Sequence, residues 1–202
     1  MRSGRLARFS GGLPGLLIIL LPAAAQAHPG GSDTSLITGL MHPVFGLDHL
    51  LAMVSVGVVS AQLGGINIWR VPLAFVGAMA VGGALGILQA AALDVELGIA
   101  LSVAVLGIGI VLAHPRMSPW PITALVLLFG ACHGHAHGRE ITVSANPALY
   151  TLGFLIGTSA LHLLGVLIGA AARMQAALWT GLRLAGGAVA ASGAAFLLQA
   201  LG

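Results

Sequence analysis

The sequence predicts an all-α fold, a polytopic membrane bundle of six transmembrane helices behind a cleaved signal peptide. Three observations carry this. The 202 residues are 58% hydrophobic and 6% charged, with a mean hydropathy of +1.03, whereas soluble domains carry about 25% charged residues. The N-terminus has the layout of a secretory leader. The remainder divides into six apolar stretches, each long enough for a hydrocarbon core about 30 Å thick.

The leader is residues 1–27. Arg2, Arg5 and Arg8 form a basic n-region, Leu13 to Ala25 an apolar stretch short for a span, and Ala25-Gln26-Ala27 a small-residue cleavage site. The mature domain is 28–202 and opens on His28-Pro29-Gly30. The spans are read at 36–61, 71–92, 96–113, 120–138, 147–171 and 177–201. Short breaks separate them: Gly64-Gly65 with Arg70 and Pro72, then Asp94 and Glu96, then Pro115, Pro119 and Pro121, then Arg139, Glu140 and Pro147, then Arg173. Loops this short leave no room for a soluble domain.

Charge sets the orientation. With the mature N-terminus exported, alternate loops place Arg70, Arg116 and Arg173 in the cytoplasm. Arg139 is then the one basic residue of the outer loops, beside Asp33, Asp94, Glu96 and Glu140. That distribution obeys the positive-inside rule and leaves both ends of the mature chain outside. All eight basic residues are arginine and none form a run, so the sequence pI near 10.5 gives no nucleic-acid surface. A single cysteine, Cys132, excludes an internal disulfide. The 30 glycines include Gly82 and Gly86, Gly153 and Gly157, and Gly165 and Gly169 at small-xxx-small spacing. Such faces bring helices close and offer a route to homo-oligomers.

Polar residues inside spans are costly and read as functional. They are His42, Asp48, His49, His133, His135, His137 and His162, on the first, fourth and fifth spans only. In a continuous first helix His42 and His49, seven apart, lie within roughly 20° of one face, and Met53 follows one turn on. Asp48, one residue off, either reaches sideways to the same site or supports an imidazole from a neighbouring helix. Pro43 removes a backbone donor and kinks the helix, freeing carbonyls beside His42. In the fourth span His133 and His137 share a face. His135 points away from an intact helix, or joins them where Gly134 and Gly138 weaken it. His114, beside Pro115, is a loop residue.

Neutral imidazoles suit nickel, cobalt, copper and zinc, whereas carboxylate and carbonyl clusters suit magnesium and calcium. The set therefore selects a divalent transition metal, with the bilayer as the other partner and no permanently bound cofactor. Taken singly, His162 serves equally as an interhelical hydrogen-bonding residue, and Met53 and Cys132 as packing residues. At 1.5 Å per residue along straight helices, His42 falls roughly 9 Å below the outer face and Asp48 and His49 near the midplane. His137 falls near the outer face, His133 deeper and His162 at or just inside the midplane. The expected pattern is a ladder of imidazoles, as in a conduction path whose sites must also release.

These residues carry a resemblance. His42-Pro43, Asp48-His49, Met53 and Val56-Gly57 resemble the first-helix signature of the HupE/UreJ family of nickel and cobalt permeases. Cys132-His133-Gly134-His135-Ala136-His137-Gly138-Arg139-Glu140 resembles its fourth-helix motif, and His162-Leu163-Leu164-Gly165 its fifth-helix histidine. The resemblance covers essentially the whole chain. It implies an inner-membrane importer of nickel or cobalt, not an enzyme, serving hydrogenase or urease maturation. It also implies functional positions at His42, Asp48, His49, His133 and Glu140. Cys132 departs from the family pattern, where Phe precedes His-Gly, and leaves metal preference open.

Two other classes compete. A b-type cytochrome would use paired histidines on facing helices and show a Soret band. A membrane zinc hydrolase would need three ligands, a metal-bound water and an acid/base carboxylate, and no His-Glu-x-x-His motif is present.

Overall fold

The structure is a computed structural model and describes residues 36–88, 94–141 and 146–202, apart from the Glu140 side chain. The expected signal peptide and His28 lie outside the described residues. The fold is all-α. Its helices are α1 (Leu36–Phe45), α2 (Leu47–Leu63), α3 (Asn67–Ile87), α4 (Val95–Leu112), α5 (Trp120–Glu140), α6 (Pro147–Ala172) and α7 (Ala176–Leu201).

The expected first span is two helices. α1 and α2 meet at 86° across Gly46, whose backbone is extended at φ −84°, ψ 115°. Pro43 remains inside α1, and the break falls three residues later, at the glycine. Proline lacks the N–H that would tie the next turn back, and glycine leaves the helix at little cost. The other five expected spans correspond to α3 to α7, with α3 starting four residues before the expected 71–92 span, whose last residues, 89–92, lie outside the described residues. α3 begins at Asn67 and runs through Pro72; the Asn67 side-chain amide donates to the Gly64 carbonyl at 3.1 Å. Gly64 and Gly65 turn the chain between α2 and α3 at φ 72° and 57°, a region glycine enters without the clash a Cβ would bring.

Four helices, α3, α4, α6 and α7, are each long and apolar enough to cross a membrane, and the bent pair α1–α2 makes a fifth when taken as one span. The chain is therefore a membrane protein. α5 has the length, about 31 Å at 1.5 Å per residue, but its last third carries His133, His135, His137, Arg139 and Glu140.

Glycines set the packing. α5 lies parallel to α3 with backbone against backbone. A Cβ built on Gly130, Gly134 or Gly138 would overlap the carbonyl of Phe75, Met79 or Gly83, and one on Gly82 or Gly86 that of Ala131 or His135. α4 and α7 are antiparallel, with Gly107 against Ala190 and Gly193 against Ala104. α6 runs beside α1 and α2 through Gly153, Gly157, Gly165 and Gly169. All three small-xxx-small pairs expected from the sequence are thus covered within the chain. Gly134 and Gly138 do not loosen α5, which is helical throughout; they let it close on α3.

One expected result follows. Gly134→Leu forces α3 and α5 apart, and overpacking of this kind costs about 1–3 kcal/mol or more. Gly77, on the outer side of α3, has nothing within 4 Å of its Cβ position. Gly134→Leu should therefore lower the thermal midpoint of the detergent-solubilised protein, followed by fluorescence-detected gel filtration, while Gly77→Leu leaves it unchanged.

The central helix is α2, which packs on α1, α3, α4 and α6. Met53, Val56 and Val59 of α2 form the apolar core with Phe75 and Met79 of α3, Val103 and Leu106 of α4, and Val126 and Phe129 of α5. At one end of the bundle side chains satisfy helix-terminal carbonyls, which have no partner within their own helix. Gln62 Nε2 donates to the Ile110 carbonyl at 2.9 Å, Arg173 Nη1 to that of Ala61 at 2.9 Å, and Arg183 Nε to that of Val111 at 2.6 Å.

Candidate metal site

The kink at Gly46 carries the site. Gly157 of α6 abuts the Leu40 carbonyl and Gly165 abuts that of Val54. Between these two contacts α6 uses eight residues and the α1–α2 side fourteen. The six surplus residues are folded into the break, which carries Asp48 and His49 in the first turn of α2.

Four imidazoles meet there. The His42 and His137 ring centroids are 4.6 Å apart, His49 and His137 4.7 Å, His49 and His133 5.0 Å, and His42 and His49 6.4 Å. His42 is part-exposed and the His49 side chain 12% exposed, whereas His133 is 0% and His137 4% exposed. His42 and His49 are thus the more exposed members of the cluster, and His137 lines a cavity of about 150 Å³. Aromatic rings wall the cluster: Phe154 lies 4.3 Å from His137, Tyr150 lies 5.9 Å from His42, and Phe75 lies 5.4 Å from His133.

Hydrogen bonds fix which nitrogen faces inward. Asp48 Oδ1 lies 2.8 Å from His49 Nδ1 and also accepts the His49 backbone N–H at 2.8 Å, one of the donors a helix start leaves unpaired. An ionised carboxylate only accepts, so Nδ1 carries the proton and the Nε2 lone pair is available. His133 Nδ1, 2.8 Å from the Phe129 carbonyl, is held the same way. The Nε2 atoms of His49 and His133 are buried and have no hydrogen-bond partner among the described residues. An oriented imidazole with its distal nitrogen held by a carboxylate or carbonyl is the usual arrangement behind a metal ligand. The rings meet edge to face or, for His49 and His137, tilted by 57°, and among the described residues no group of three or more His, Cys, Asp or Glu is spaced to hold a metal ion. Ligation by three or four of these imidazoles therefore requires side-chain rotation.

Several sequence expectations change. The ladder is replaced by one cluster, because the 86° bend stops depth from accumulating along the first span and brings His42 back beside His49. His137 belongs to the same cluster as His133. Asp48 reaches sideways into the same site, where it holds the imidazole of its own neighbour, His49, and not one from another helix. His135 is 9% exposed and lies on a different face of the intact α5 from His133 and His137. His162 stands apart, facing Phe75 at 5.1 Å. Met53 is fully buried in the apolar core. Cys132 is 6% exposed and its Sγ packs over Gly98, 3.0 Å from where a Cβ would stand. His114 is exposed between α4 and α5, its Nδ1 accepting the Arg116 N–H at 3.1 Å. The Glu140 side chain lies outside the described residues. Sequence reasoning did not find the aromatic walls, since a phenylalanine in an apolar run carries no positional signal. The break was findable: a Pro-x-x-Gly inside a span marks a place where a helix opens.

Over residues 16–196 the chain matches the HupE / UreJ protein family. The chain belongs to the HupE/UreJ family. It is 45% identical over 186 residues to "Protein HupE" of Rhizobium leguminosarum bv. viciae, an alignment covering 91% of this chain and 95% of that protein. No solved structure matches it. The HupE/UreJ match takes in all seven helices except the last residues of α7, so the kink, the α5 histidines and His162 all lie within it.

Proposed function

We propose that this HupE/UreJ protein imports a divalent transition-metal ion, nickel with cobalt as its closest competitor, from periplasm to cytoplasm across the bacterial inner membrane. It is a permease and not an enzyme, and it supplies hydrogenase or urease maturation. The ion is substrate: His42, His49, His133 and His137 receive it, and Asp48 orients His49 and adds the negative charge a dication needs. The observation that carries the reading is the meeting of four imidazoles from three helices, with the Nε2 atoms of His49 and His133 buried and unpartnered. Buried polar atoms without partners are rare in native proteins and call for a ligand. Neutral imidazole is a suitable donor for nickel and cobalt.

Six spans complete the proposal, with α1–α2 as one broken span and α5 as another. What supports counting α5 is its parallel, full-length packing on α3. The parallel pairing of α1–α2 with α6 and the antiparallel pairing of α4 with α7 also fit six alternating crossings. Arg70, Arg116 and Arg173, with Arg183 one turn or two into α7, then lie at the cytoplasmic end and both mature termini outside.

Uptake of radioactive nickel by cells lacking other importers tests the function. Expression should raise accumulation, excess cobalt should compete better than zinc, and acid should inhibit. Imidazole must be deprotonated to bind metal, so protons compete, and with an unperturbed value near 6.5 uptake should fall as the outside pH drops toward about 5. No accumulation above empty vector rejects the importer. Uptake that rises with acidity and collapses with an uncoupler replaces facilitated diffusion by proton symport.

A further inference from the structure

α3 and α6 run past each other and leave a cavity at each end of their seam. One, about 150 Å³, is lined by His137, Tyr150 and Phe154 and belongs to the cluster. The other, about 140 Å³, lies between the first half of α3 and the second half of α6, lined by Trp69, Pro72, Val76, Ser159, His162 and Val166. Phe75 stands between them, its ring 5.4 Å from His133 and 5.1 Å from His162. One turn on, Met79 Sδ accepts the Thr158 hydroxyl at 3.9 Å and closes the same layer.

His162 is 2% exposed, and neither ring nitrogen has a hydrogen-bond partner among the described residues. A neutral imidazole has one donor and one acceptor. A residue kept only for packing would be apolar here, because an unpaired buried polar group is unfavourable. The sequence left open an interhelical hydrogen bond for His162, and none is present among the described residues. The polar group instead edges a groove of about 140 Å³ lined otherwise by Ser159 and apolar side chains. A single imidazole binds a transition-metal dication weakly, as an exit position on a conduction path must.

We infer that His162 is a second binding station for a divalent transition metal, on the far side of Phe75 from the four-imidazole cluster. The inference rests on the importer reading and adds an exit position to it. Its cation passes Phe75 when the ring turns aside, so cluster and exit position load independently while the ring is in place.

Equilibrium binding of Ni²⁺ to the purified full-length protein in nanodiscs tests this. Wild type should bind in two phases, a tighter one at the cluster and a weaker one at His162. His162→Ala should lose the weaker phase only, and His133→Ala the tighter phase only. His162→Gln keeps hydrogen-bonding capacity and similar bulk, so a structural role would be rescued by it; the weaker phase should stay lost in this variant, with the protein monodisperse. Two phases retained in both His162 variants would overturn the inference and leave the cluster reading standing. A wild type whose only phase is the one removed by His162→Ala would overturn the cluster reading and support His162 as a binding position.

Discussion

Asp48→Asn is expected to abolish nickel uptake while the protein inserts at the wild-type level. The carboxylate holds His49 through two contacts of 2.8 Å, from Nδ1 and from the backbone N–H. Because an ionised carboxylate can only accept, it admits one tautomer of His49, the one whose Nε2 lone pair points into the cluster. Asparagine has nearly the same shape but carries a donor as well. Its amide can turn and donate to Nδ1, which places the proton on Nε2 and removes the lone pair a metal needs. The negative charge opposite the dication is lost too. Loss of such a supporting partner lowers metal affinity or activity by about 10–100-fold, and the missing charge deepens the effect. The measurement is initial uptake normalised to membrane-inserted protein, with Asp48→Glu as a partner variant that retains acceptor-only chemistry. Near-normal uptake in Asp48→Asn would remove Asp48 from the mechanism.

The second large effect distinguishes a cluster from a ladder. Graded depth would make His137→Ala a mild change that mainly raises the nickel concentration for half-maximal uptake, since water could replace an imidazole near the outer face. The structure predicts otherwise. His137 is 4% exposed and stands 4.6 Å from His42 and 4.7 Å from His49, ring centre to ring centre, so it belongs to the cluster and is not a separate outer rung. His137→Ala, His49→Ala and His133→Ala should each reduce flux to near background, in proteins inserted in equal amounts. His114→Ala should transport like wild type, because that ring is exposed and bonds only its own turn. A graded series in which His137→Ala transports well would restore the ladder.

Much of this was legible in the residues themselves. The apolar stretches, the arginine asymmetry and the break residues located five of the seven helices nearly to their ends, because a span is a matter of length and hydropathy, both local quantities. The choice of imidazoles with a single deep carboxylate was equally local. His133 and His137 could be paired from their spacing of four, since one helix turn joins them without reference to any other element. The same rule puts His135 on another face of an intact α5.

What the sequence by itself determined was composition along the chain: a membrane bundle, its breaks, and the imidazole-rich set of polar side chains inside it. What only the tertiary structure decided was distance between elements. His42 and His49 do converge, but through an 86° bend at Gly46 and not through the phase of a continuous helix. A periodicity argument assumes straightness, and that assumption fails where a proline and a glycine stand three residues apart. The glycines of α5 looked able to weaken a helix, yet they bring it against α3, because a missing Cβ has value only when another backbone occupies the space. Likewise Phe75 became a divider between His133 and His162 through the packing of α3 against α5 and α6. Local pattern gives each side chain its chemistry and its face; which faces meet depends on the packing of whole helices, and that sum is not contained in any one stretch of sequence.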